Sequence, residues 1–254
     1  MSRIFLQGTS GPAEPTTIAE EKAYFAEVGE SAYTWTTSAS GRQFARCKCD
    51  HGTIMKWNDV GTTRYTIVLD AKYRTKSALY SNRGTNLNLT KFTSRGYFSS
   101  TGSSISLPAD PTQFTDTSLN NRSVSNQDTR SSTVATNEWQ NSSYYGTNMA
   151  AAYYVRNTLS SNEEVGSGCD MPTINCLTRI FGDMSLLDSM DPTVSSYSSY
   201  SLVSWSFGGY DRAWSSSWYG DFGDCYYALD VYNGGYVYLG NQDGSYGVVP
   251  VLDM

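Results

Sequence analysis

Histidine occurs once in 254 residues, at position 51. A Ser-His-Asp or Cys-His mechanism would have to run through that side chain, and nothing around it resembles a nucleophile elbow. Basic residues are also scarce: 18 lysines and arginines stand against 24 aspartates and glutamates, a formal net charge of -6. They form no cluster, so the chain has no electrostatic footprint for nucleic acid or an anionic membrane. No segment approaches the ~20 apolar residues of a spanning helix. The opening "MSRIFLQGTSGPAEP" is too polar, and its apolar run too short, for a signal peptide. There is no P-loop and no dinucleotide fingerprint. These absences lead us to expect a protein that is not an enzyme, carries no cofactor or metal, neither binds nucleic acid nor inserts in a membrane, and is made in a reducing cytoplasm.

What the chain has instead is concentrated near its end. The stretch "WSSSWYGDFGDCYYALDVYNGG", Trp214 to Gly235, contains no lysine, arginine or histidine. Residues 195–254 hold ten of the twenty tyrosines, three of the six tryptophans, and six aspartates against one arginine, Arg212. Tyrosine and tryptophan give large contact area at small entropic cost, and serine, glycine and asparagine give adaptable hydrogen bonding, as in antibody paratopes. The same composition also suits a plain half-buried sheet. A carboxylate pair such as Asp221 and Asp224 could in principle cleave a glycosidic bond, although such pairs are common by chance.

Five cysteines, Cys47, Cys49, Cys169, Cys176 and Cys225, are spaced unlike a disulfide framework and read as reduced. In "CKCDH", Cys47 to His51, two thiolates, a carboxylate and an imidazole are all good metal ligands. The segment alternates like a strand, however, and no second ligand pair matches it. Small buried residues on a strand face are therefore the preferred reading. "WND", Trp57 to Asp59, lacks the companion motif of a lectin calcium site and reads as a turn.

Along the chain, residues 1–30 read as an extended arm and a short helix capped by Thr17 and stopped by Gly29. Residues 31–135 open as an antiparallel meander with turns at "SASG", "DHG" and "NDVG", and Thr66 to Leu69 as its most buried strand. A long Ser/Thr/Asn-rich excursion follows. Residues 136–254 begin with helical patterns at Asn148–Leu159 and in "MPTINCLTRIFGDMSLLDSMDPT", where Ile174, Leu177, Ile180 and Phe181 form a buried stripe. Short aromatic strands then run from "SLVSW" to "YGVVPVLDM". The plan is α+β.

The run "CDMPTINCLTRIF" with "LLDSMDPT", then "AWSSSWY", then "GGYVYLGNQDGSYGVVPVLDM" resembles the C-terminal domain of C-type-lectin-like proteins of bacteriophages and their hosts. More narrowly it is similar to the variable proteins of diversity-generating retroelements. The likeness covers Ser142 to Met254, and "VLDAKYR", Val68 to Arg74, resembles a segment that precedes this domain in some phage proteins. The resemblance implies a C-type-lectin-like domain, two helices plus an irregular antiparallel sheet, preceded by a β-rich region. It implies a supporting role for Trp214, Ser215, Ser216, Tyr246, Gly247, Pro250, Val251 and Leu252. It implies a ligand-binding face of Phe207, Tyr210, Asp211, Trp218, Tyr219, Asp221, Phe222, Asp224, Tyr226, Tyr232, Asn233, Tyr236, Tyr238 and Asn241. Adenine-directed rewriting of asparagine codons yields the residue types that dominate there; Trp218 departs from that set.

The function expected on this basis is that of a virion protein at a receptor-binding or fibre tip. It would attach to other virion proteins through its N-terminal region and meet a host-surface glycan or protein through the lectin-like face. A symmetric oligomer, a trimer in preference, would multiply weak contacts. The alternative is a decoration protein of capsid or tail that binds no receptor.

Overall fold

The computed structural model describes residues 11–59, 61–77, 154–207, 212–219, 225–230, 236–241 and 246–254. Helix α1, Ile18–Val28, starts where the sequence requires it. Thr17 is an extended N-cap whose Oγ1 accepts from Glu20 N at 3.1 Å, and the Glu20 carboxylate accepts from Thr17 N at 3.2 Å. This capping box satisfies amides that no helical turn can reach. Two more open amides are taken by a distant segment, Ile18 N by Glu164 O and Ala19 N by Val165 O. Gly29 stops the helix at φ 72°, a value that suits glycine.

The meander follows: β1 Thr36–Thr37, β2 Gln43–Arg46, β3 Gly52–Asp59 and β4 Thr62–Leu69, each antiparallel to the next. Its turns fall where expected, with Gly41 and Gly61 both at φ 83° and Asp50 at φ 60°. Thr66 to Leu69 is fully buried, as the sequence suggests, and so is Gly52 to Met55 beside it. Ile54 lies opposite Ile67 and Thr53 opposite Val68, so these central strands bury both faces.

The chain then changes sheet. After a 3-10 turn at Ala71–Tyr73, β5, Thr75–Ser77, joins a second sheet whose other strands come from the far end of the chain. These are β6 Arg212–Tyr219, β7 Cys225–Asp230, β8 Tyr236–Asn241 and β9 Tyr246–Val248, in the order β5-β9-β6-β7-β8. All pairings are antiparallel except β6 with β9. The last strand, β10 Val251–Asp253, leaves that sheet and pairs with β4 of the first. The two sheet changes are adjacent in space, with Leu69 N donating to Pro250 O at 3.1 Å. A strand from the C-terminal region thus completes the N-terminal sheet.

Of the helix expected over Asn148–Leu159, residues 148–153 lie outside the described residues; the remainder is a π-helical turn at Tyr154–Thr158 that runs into a 3-10 turn at Leu159–Ser161. Helix α2, Ile174–Gly182, is capped by Thr173, whose side chain accepts from Cys176 N. Leu177, Ile180 and Phe181 are buried, as their spacing demands. Helix α3, Met184–Met190, follows directly and ends at Asp191.

"SLVSW" is a correction: Leu202–Phe207 is a helix, α4, not a strand. Leu202 and Trp205, three apart, are both buried on one side of it. Its first amides are satisfied by tertiary partners: Asp188 of α3 accepts from Leu202 N at 3.1 Å and Val203 N at 2.8 Å. Among the described residues Trp205 and Trp214 are the largest fully buried side chains, in one continuous core with Phe44, Ile18, Ile54 and Met55. Each such side chain contributes about 1.5–3 kcal/mol by leaving water. The architecture is α+β, with helices set against antiparallel strands.

Candidate functional site

Strands β6, β7 and β8 carry six of the residues expected to bind. The register opposes Trp218 to Tyr226, Tyr226 to Gly240, Ala228 to Tyr238 and Asp230 to Tyr236. Because strand positions alternate in steps of two, Trp218, Tyr226, Tyr236 and Tyr238 fall in one register set across the three strands. Trp214 belongs to the same set, since it lies opposite Ala228. Tyr219 and Asn241 fall in the other set, both level with Cys225. The register of β6 shifts between Trp214 and Trp218, four residues against two on β7, so β6 bulges just before Trp218. Phe207 is the last residue of α4. Tyr210, Asp211, Asp221, Phe222, Asp224, Tyr232 and Asn233 lie outside the described residues.

The residues that the resemblance implies as support are packed closely. Trp214 and Ser215 are fully buried, and the Trp214 ring meets Tyr246 at 4.4 Å between centroids. Arg212 lies over the same Tyr246 ring and its Nη1 donates to the Tyr246 hydroxyl at 3.1 Å. Gly247 is a close approach: a Cβ there would stand 2.6 Å from Cζ3 of Trp205. Val251 and Leu252 are buried. Beneath β6 and β7 lies α2.

The motifs "VLDAKYR" and "LLDSMDPT" meet in the structure, more than a hundred residues apart in sequence. Asp191 accepts from Ala71 N at 2.6 Å, Thr193 Oγ1 from Lys72 N at 3.3 Å, and Arg74 reaches Asp188 at 3.1 Å and Asp191 at 3.4 Å. Arg74 also donates to the carbonyls of Leu69 and Tyr200. Asp70 pairs with Arg46 across the same junction. Burial pushes the Asp70 carboxyl up against the pull of Arg46. These ion pairs clamp the first sheet change to α3, so the two motifs are joinery.

Elsewhere the chemistry is quiet. Burial pushes the thiols of Cys47 and Cys176 up, and that of Cys169 to about 12, which keeps them protonated and poor nucleophiles at neutral pH. "WND" is a further correction: Trp57 to Asp59 are the last residues of β3, opposite Arg64, Thr63 and Thr62 of β4, and the turn comes after them, where Asn58 Oδ1 accepts from Gly61 N at 2.8 Å; the Trp57 indole donates to Thr66. A cavity of about 440 Å³ is lined by Ser40, Arg42, Lys56, Trp57 and Arg179 among others, and holds none of the expected residues. Arg42 is held by Asp183 and Lys56 by Glu30, so much of its positive charge is already answered.

The cysteine turn requires another correction. Strand β2 ends at Arg46, so Cys47 and Cys49 lie in the β2–β3 turn and not on a strand face. Both are buried, and the carboxylate of Glu21 from α1 sits against them. Glu21 escaped the sequence reading because a glutamate on a charged helix reads as solvent-facing. The only local signal was its place three residues after buried Ile18, on the face that packs inward.

Comparison with family models, with curated proteins and with solved structures returned no match.

Proposed function

We propose that this chain is a bacteriophage virion protein that contacts the host surface through the face built on β6, β7 and β8, with its N-terminal region joining it to the particle. The observation that carries the reading is the placement of six of the expected residues, Trp218, Tyr219, Tyr226, Tyr236, Tyr238 and Asn241, on three adjacent strands. Side chains of these types give contact area at little cost in side-chain entropy. Cation-poor surroundings suit a receptor that donates hydrogen bonds or stacks an apolar ring face, as a glycan or an aromatic-rich protein surface does. Copies in a homo-oligomer, with a trimer preferred, raise a weak single contact by avidity.

The experiment is adsorption of the purified chain to intact host cells, comparing it with the Tyr236→Ala, Tyr238→Ala double variant. Saturable binding that falls about ten-fold or more in a variant with an unchanged thermal melt supports attachment. Binding that is absent in the parent chain, with incorporation into particles retained, points to a decoration protein instead.

A further inference from the structure

We propose that Glu21, Cys47 and Cys49 form a binding site for one thiophilic divalent cation of the zinc class. The carboxylate oxygen and the two Sγ atoms lie within 4.8 Å of one another, and all three residues are buried. Tetrahedral zinc with thiolate and carboxylate ligands needs donor atoms about 3.5–3.8 Å apart, so the three donors need close by only about an ångström. Two thiolates select a soft ion over calcium or magnesium.

The carboxylate is available for this role. Glu21 Oε1 accepts from the Tyr33 hydroxyl at 2.7 Å and from Lys48 N at 3.0 Å, whereas among the described residues Oε2 accepts only from Cys49 N, at 2.9 Å. Oε2 therefore keeps a lone pair. Those amides belong to the same turn that carries both thiols, so the hydrogen bonds that hold Glu21 also fix the turn around it. Among the described residues Glu21 makes no ion pair, although its exposure is 0 %. A buried carboxylate in that position is a natural counter-charge for a cation.

The charge balance favours exchange. When a divalent cation replaces the two Sγ–H protons, which leave to solvent, two new thiolate charges offset its two positive ones and the net charge of the cluster is unchanged. The interior therefore takes up no additional net charge on binding.

The test uses the full chain, reduced with a phosphine and freed of metal by a chelator. It is titrated with cadmium while the ultraviolet thiolate-to-metal charge-transfer band is followed, then with zinc in competition. The proposal expects one saturable equivalent, loss of the band in Cys47→Ser and in Cys49→Ser, and at least about ten-fold weaker binding in Glu21→Gln. As a measurement independent of variant folding, zinc should protect Cys47 and Cys49 of the parent chain from alkylation, as mapped by peptide mass. Absence of the band, or protection falling on Cys169, Cys176 or Cys225 instead, would overturn it.

Discussion

Single contacts decide several features that no stretch of sequence displays. Gly247 stands in sequence as one residue of the strand "YGVVPVLDM", yet it is the place where a strand backbone touches the Trp205 ring. Gly247→Ala should lower stability by about 1–3 kcal/mol, because a buried indole has little room to withdraw; the urea midpoint measures this, and an unchanged midpoint would show that the ring yields freely. Asp253 makes a pH prediction. Burial raises its carboxyl pKa above the ordinary value of 3.8, against a hydrogen bond from Thr66 and the charge of Arg64. A folded pKa above the unfolded one gives stability that is present below the unfolded value and lost as pH rises through the folded value. Relative to Asp253→Asn, which does not titrate, the parent chain should therefore be most favoured near about pH 3 and lose ground towards about pH 7. Urea unfolding of both proteins across that range checks the sign. Thr17 and Gly29 were legible at this scale because capping is local chemistry. Glu21 was not, because its partners Tyr33, Lys48 and Cys49 come from beyond its own helix.

Elements were read correctly where the signal lay inside them. The meander and its turns, α1, α2 and strands β6, β7 and β8 follow from alternation, caps and glycine placement, whereas "YGVVPVLDM" divides into β9 and β10 of different sheets. Helix α4 was misread because six residues rich in serine, tryptophan and valine carry a strand-like composition. The carboxylate of Asp188, fourteen residues upstream, caps them as a helix. The clamp between the first sheet change and α3 also lies beyond local reading. Asp191→Ala would leave Arg74, with 2 % side-chain exposure, short of a charged partner and Ala71 N without an acceptor. We expect a loss of about 3–5 kcal/mol, enough to unfold much of the population at physiological temperature. Thermal melting followed by circular dichroism tests this, and a shift of only a degree or two would show that Asp188 alone holds the arginine.

At the scale of the whole molecule, strand exchange couples regions that the sequence presents as successive. Strand β5 enters the sheet built from β6 to β9, while β10 completes the sheet built from β1 to β4. Unfolding should therefore be cooperative across the described core: tryptophan fluorescence and far-ultraviolet circular dichroism should give coincident urea transitions. Two separated transitions would show that the sheets melt independently. Removing Val251 to Met254 should strip β4 of a neighbour along Thr66 to Val68 and leave an apolar edge, so the shortened chain should aggregate or melt well below the parent. The sequence by itself determined the α+β class, the meander, the caps, the buried stripe of α2 and the aromatic concentration of residues 195–254. Each of these is written in the periodicity or composition of neighbouring residues. Only the tertiary structure decided that Asp188 makes a helix of α4, that "VLDAKYR" and "LLDSMDPT" are one clamp, and that Glu21 meets Cys47 and Cys49. Those arrangements depend on which distant groups arrive to satisfy a buried charge or an open amide, and spacing along the chain carries no record of that.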